Sequence, residues 1–171
     1  LIVIDSDAVK INKLRRDFDA MNMKAERIAF LTNTPQNLDM APYFSSLTII
    51  ENIGNYKKET ASILLKKVHS STRPFGGNIW IGGNESDLAT IQSLVKSNPL
   101  DGLEIVSADA KSLLLSRKGA PDGSANWTHL YGSIANTIKS NDDLVKLPLG
   151  VLWFGGSSNM DVLPRHGHGP P

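Results

Sequence analysis

Two rhythms of apolar residues alternate along the first two thirds of this chain. Short runs rich in apolar residues, Leu1-Ile2-Val3-Ile4, Arg27-Ile28-Ala29-Phe30-Leu31, Leu47-Thr48-Ile49-Ile50 and Asn78-Ile79-Trp80-Ile81, fit strands. A continuous apolar run suits a parallel strand covered on both faces, so the opening run predicts an interior strand. Elsewhere the apolar residues recur at helical spacing. Ile11, Leu14, Phe18 and Met21 predict an amphipathic helix from about Ala8 to Met21, with Asp7 as its N-cap. Ile63, Leu64 and Val68 mark the inner side of a helix from Lys58 to His69. Leu88, Ile91 and Leu94 or Val95 mark a third, capped by Ser86 and halted by Pro99. Leu103–Ser107 and Ser112–Arg117 flank Ala108-Asp109-Ala110-Lys111 and predict an antiparallel hairpin. Strands alternating with helices imply an α/β domain with a mostly parallel sheet and right-handed crossovers, here closed by an antiparallel strand pair.

The rhythm fades at Lys118. Gly119-Ala120-Pro121-Asp122-Gly123-Ser124 has linker character, and a linker over 119–126 is expected. Beyond it only Leu147 to Gly156 contains a strand-like run. One strand cannot bury a core, so residues 127–171 read as the opening of a second domain. The chain opens on Leu1, not Met, and at once on a strand, which leads us to expect a domain whose first strand lies upstream.

Composition narrows the function only slightly. Of the 171 residues 40% are hydrophobic and 20% charged, as in globular proteins. A formal net charge of +1 gives no basic excess directed at nucleic acid or anionic lipid. Cys is absent, which removes thiol catalysis and Cys-type zinc sites but fixes no compartment. No apolar run approaches the roughly 20 residues needed to cross a bilayer.

The candidate chemistry lies at strand ends. In open α/β sheets, ligands sit outside the carboxyl ends of the strands, where an acid can hold ribose hydroxyls. Asp5 closes the first strand, and both oxygens of a carboxylate accept, which suits two vicinal donors. Glu51 closes the third strand at the same rim and could line the cleft. His69, late in its helix, is expected to act as a positive group at the helix C-terminus. Two histidines at i and i+2, His166 and His168, would bind metal only with further ligands, and none is evident. Gly76-Gly77 and Gly82-Gly83 are turn glycines without a phosphate-loop pattern around them.

Several marks together give residues 1–118 a family likeness. Strands close on Asp5, near Asn33 and on Glu51, Arg73-Pro74-Phe75-Gly76-Gly77 forms a turn before a strand, and a strand pair ends the series. In this order they resemble the later part of a class I S-adenosylmethionine-dependent methyltransferase domain, N-terminally truncated and Rossmann-like. The resemblance implies S-adenosylmethionine as cofactor, with Asp5 on ribose, Asn33 near adenine and Glu51 in the cleft. The family's Gly-rich loop has no counterpart in this sequence, and Asn33 stands where many members carry Asp. Trp127-Thr128-His129, Ala135-Asn136-Thr137, Pro148 to Gly156 and Arg165-His166-Gly167-His168-Gly169 are similar to the start of bacterial quinoprotein-like β-propellers with pyrroloquinoline-quinone-type repeats. The resemblance thus implies a fragment of a multidomain protein whose partner is the rest of its own propeller. No residue here supplies a quinone site. The fragment is expected to be inactive. The alternative is a degenerate, non-catalytic docking domain that supports the propeller.

Overall fold

The computed structural model describes residues 1–23 and 27–145. The chain divides into two compact units, Leu1–Lys118 and Gly119–Pro171. In the first, the order is β1 (Ile2–Asp5), α1 (Ala8–Ala20), β2 (Ala29–Thr32), β3 (Leu47–Ile50), a 3-10 turn (Ile53–Asn55), α2 (Lys58–Ser71), β4 (Gly77–Gly82), α3 (Glu85–Ser97), β5 (Leu103–Ala108) and β6 (Ser112–Arg117). This is a Rossmann-like α/β arrangement with a mostly parallel sheet. β1 and β2 pair in parallel as a two-stranded sheet. A second sheet runs β3-β4-β6-β5, with β3 and β4 parallel and β6 antiparallel to both its neighbours.

The core lies on one face of the larger sheet. Register puts Ile50, Ile79, Ile81, Leu113 and Leu115 on that face. There they join Leu64, Leu65 and Val68 of α2 and Leu88, Ile91 and Val95 of α3 in one buried cluster. Side chains alternate across a strand, so Leu47 and Ile49 point to the other face, where they are 55% and 58% exposed. Among the described residues, the double coverage expected of a parallel sheet is therefore lacking at β3. β1 also differs from its expectation. It has one hydrogen-bonded neighbour, Ile4 is 36% exposed, and its other edge is open among the described residues. Arg15 of α1 donates to the Phe30 carbonyl of β2, and Phe18 packs edge-to-face on Phe30 with centroids 5.0 Å apart. These contacts and the fully buried Ile11 anchor α1 to its strands.

Helix boundaries follow local chemistry. Asp7 caps α1, its carboxylate accepting from the Val9 and Lys10 amides at 2.8 and 3.1 Å. Asn84, not Ser86, caps α3: its Oδ1 accepts from the Asp87 amide at 2.9 Å, and Ser86 donates its hydroxyl to the same oxygen. In α2 the inner face takes Leu65 in place of Ile63, which is 41% exposed. The Phe75-Gly76 turn before β4 has positive φ at both residues, 57° and 100°. Glycine suits the second, and Gly76 donates its amide to the Arg117 carbonyl.

His69 is a correction to the sequence reading. It is buried, and its Nε2 lies 2.7 Å from the Asp101 carbonyl, so this nitrogen carries the proton and donates. Burial first, then the charge of Arg117, lowers its pKa and keeps it neutral. The cation at the α2 C-terminus is instead Arg117. Its guanidinium donates to the His69 and Thr72 carbonyls at 3.3 and 3.0 Å and to the Asp101 carboxylate at 3.0 Å. It also stands 5.2 Å from the centre of the Tyr43 ring.

In the second unit, the described residues 119–145 hold turns and an isolated bridge between His129 and Gly132, without a strand. Trp127 and Tyr131 are about half exposed. The strand-like run Leu147–Gly156 and the His166-Gly167-His168 segment lie outside the described residues.

Replacing Arg117 by Met is expected to lower the unfolding free energy by about 2–4 kcal/mol, because helix carbonyls and a carboxylate lose their cation. The partial exposure of Asp101 keeps the loss at the lower end; urea unfolding reads it. A lowered His pKa means the unfolded chain binds the proton more readily. The stability this gives is complete above the ordinary value of 6.5 and declines as pH falls below it. His69→Gln should flatten that decline, at most about 1.4 kcal/mol per pH unit, in unfolding curves taken from about pH 7 to about pH 5.

Candidate functional site

The parallel strands β1, β2, β3 and β4 end at the carboxyl rim of their sheets. β1 stops where Asp5 turns back on itself. Its Oδ1 accepts from the Asp7 amide at 2.9 Å, and its Oδ2 accepts from the Lys10 ammonium at 2.6 Å. That ion pair lowers the Asp5 pKa below the usual carboxylate range and raises that of Lys10. Lys10 stands in the first turn of α1, which follows β1 after two residues. The Asp5 side chain is 27% exposed and that of Lys10 56%.

At the end of β2, the Asn33 amide donates to the Asp5 carbonyl at 3.1 Å, extending the parallel ladder by one step. Asp5 and Asn33 are thereby neighbours on the rim. The Asn33 side chain is engaged locally: its oxygen accepts from the Thr34 amide at 2.8 Å, and its nitrogen donates to the Asn37 carbonyl at 3.3 Å. The sequence Asn33-Thr34-Pro35 favours such a turn, since a short amide side chain substitutes for backbone partners.

Glu51 follows β3 and is exposed. Its main chain passes close to the last residue of β4, where a Cβ on Gly82 would stand 2.3 Å from the Glu51 carbonyl oxygen. Glycine at 82 is what admits this approach. The charge of Glu51 acts on Lys10 and helps raise its pKa, which links the β1 and β3 ends electrostatically. Asn52 caps the 3-10 turn, its side-chain oxygen accepting from the Gly54 amide at 3.0 Å.

Asp5, Asn33 and Glu51, the three residues singled out in the sequence, thus all occur at the carboxyl ends of strands. Two of them touch through the backbone, and the third is coupled to Asp5 through Lys10. Sequence reasoning passed over Lys10. A signal was present: a lysine in the first turn of a helix opposes the helix dipole, so its position calls for another partner. A pocket lined by Arg15, Phe18, Asp19, Met23, Ile28 and Phe30 lies at the far end of α1 and β2 and includes none of these groups.

Gly82→Ala is expected to push the Glu51 carbonyl out of place and cost about 1–3 kcal/mol by overpacking. Thermal unfolding of the variant measures it.

No protein-family model and no curated protein matches this sequence. Solved structures do. The PH0226 protein of Pyrococcus horikoshii OT3 superposes with a TM-score of 0.56 at 10% identity, over 68% of this chain and 70% of that one. An rRNA methylase of Streptococcus thermophilus gives 0.53 at 12% identity, over 69% and 73%. A candidate S-adenosyl-L-methionine-dependent methyltransferase of Methanococcus maripaludis gives 0.50 at 12% identity, over 71% and 68%. At these identities the likeness shows the fold, which is the Rossmann-like fold of such methyltransferases.

Proposed function

We propose that the first unit is a methyltransferase-like domain whose rim at Asp5, Asn33 and Glu51 receives S-adenosylmethionine. The observation that carries this reading is the placement of an acid and an amide on adjoining parallel strand ends, in a fold shared with such enzymes. The residues fit the ligand chemically. Oδ1 of Asp5 is held by the Asp7 amide, and Oδ2, which meets the flexible and exposed Lys10 ammonium, is the acceptor for a ribose hydroxyl. The Asn33 amide has one further N–H for an adenine nitrogen. Glu51 presents a carboxylate toward the cationic end of the ligand. When bound, this cofactor supplies an electrophilic methyl group. The chain's part is to align it with a nucleophile, because methyl transfer depends chiefly on orientation.

Direct methyl transfer to an oxygen or nitrogen nucleophile is the reaction class proposed for the whole protein. The sequence has no Gly-x-Gly-type loop to cradle the methionine end. This chain by itself is therefore proposed to be inactive. A second reading has its own support: Lys10 and the Thr34-Asn37 turn already satisfy Asp5 and Asn33 internally, as in a docking module that has lost its ligand. The joining of this domain to a quinoprotein-like propeller rests on the sequence likeness of residues 127–171 alone.

Calorimetric titration with S-adenosylhomocysteine should give a Kd of about 1 mM or weaker, and a micromolar value would contradict the proposed inactivity. Asp5→Asn removes a charge-assisted acceptor and should weaken binding by a further factor of about 10 or more in ligand-observed NMR at millimolar ligand. Equal binding by the variant would favour the docking reading.

A further inference from the structure

We infer that Lys10 is a competitor for the ligand-binding acid, an internal counter-ion that must yield part of the Asp5 carboxylate before a nucleoside can bind. The inference rests on the reading of Asp5 as the ribose acceptor, and deepens it. Three observations carry it. The Lys10 ammonium is 2.6 Å from Oδ2 of Asp5, the oxygen that the Asp7 amide leaves available. Oδ1 is held by a rigid backbone donor two residues on, so Oδ2 is the part of the carboxylate a ligand can take. Lys10 is itself more exposed than its partner, 56% against 27%, and moves on a flexible stem without disturbing packing.

The position in the helix adds to this. Lys10 follows the N-cap Asp7 by three residues, where the helix dipole disfavours a cation. The N-cap Asp7 and Glu51 also attract it, but the ion pair with Asp5 is its closest contact and the leading interaction on it. Glu51, the second carboxylate acting on Lys10, remains to attract the ammonium once Asp5 turns to a ligand. Lys10 is a positioning residue in this scheme: it reaches the ligand only through Asp5.

An exposed pair of this kind is weak, so removing it should strengthen binding by a factor of about 2–5. The test is ligand-observed NMR with S-adenosylhomocysteine and with adenosine, at millimolar ligand, on the full 171-residue chain. The proteins are the parent sequence, Lys10→Met, Lys10→Arg and Asp5→Asn. The inference expects Lys10→Met to bind both ligands more tightly and Lys10→Arg to bind as the parent does. Added salt should strengthen binding to the parent by screening the ion pair, and should not do so for Lys10→Met. A structural role for Lys10 would leave that salt effect unchanged. Unaltered or weaker binding by Lys10→Met, with Asp5→Asn still impaired, overturns the inference and leaves the ribose reading standing. Equal binding by Asp5→Asn and the parent, or no binding by any of the four, overturns both.

Discussion

One buried guanidinium ties β6 to the end of α2 and the loop before β5. Arg117 ends β6, the strand that separates the parallel strand β4 from β5, and its charge meets the last carbonyls of α2 and the carboxylate of Asp101. A helix leaves its final carbonyls without intrahelical partners, and burial makes that costly unless a donor is supplied. Arg117 supplies it from another element, with a planar fork of donors that a lysine could not match. Burial and the charge of the same group lower the His69 pKa, and His69 donates from Nε2 to the Asp101 carbonyl while Arg117 meets the carbonyls at the helix end. The last strand, the central helix and the loop before β5 are in this way fixed relative to one another.

The sequence foretold most of this frame because the pattern was strong where burial is strong. Ile79, Ile81, Leu113 and Leu115 read as strand residues, and they are among the most completely enclosed. The reading failed where two explanations compete for the same residue. Ile63 fits the helical repeat as well as Leu65 does, and only the position of α2 on the sheet selects between them. Ser86 is a good cap by type, yet Asn84 lies two residues earlier and reaches the Asp87 amide directly. Arg117 takes the role expected of His69, and the contact that decides it spans 48 residues of sequence. Local periodicity carries no such information.

The rim was partly legible for a different reason. A carboxylate after an apolar strand is visible in sequence, and so is the turn chemistry of Asn33-Thr34-Pro35. The pairing that makes Asp5 and Asn33 neighbours comes from the parallel register of β1 and β2, which needs the fold. Lys10 sits five residues after Asp5 across a strand-to-helix turn, and its contact depends on the direction in which α1 departs. Gly82 looked like one turn glycine among several until its closeness to Glu51 gave it a purpose.

The distribution of enclosure has an evolutionary corollary. Asp5 and Lys10 occupy the sparsely covered pair of strands and its helix, while the tightly packed mass belongs to β4, β6, α2 and α3. Substitution at the rim therefore removes little of what keeps the domain folded. A lineage carrying this scaffold is free to vary the residues at the ends of β1 and β2 without first losing its shape.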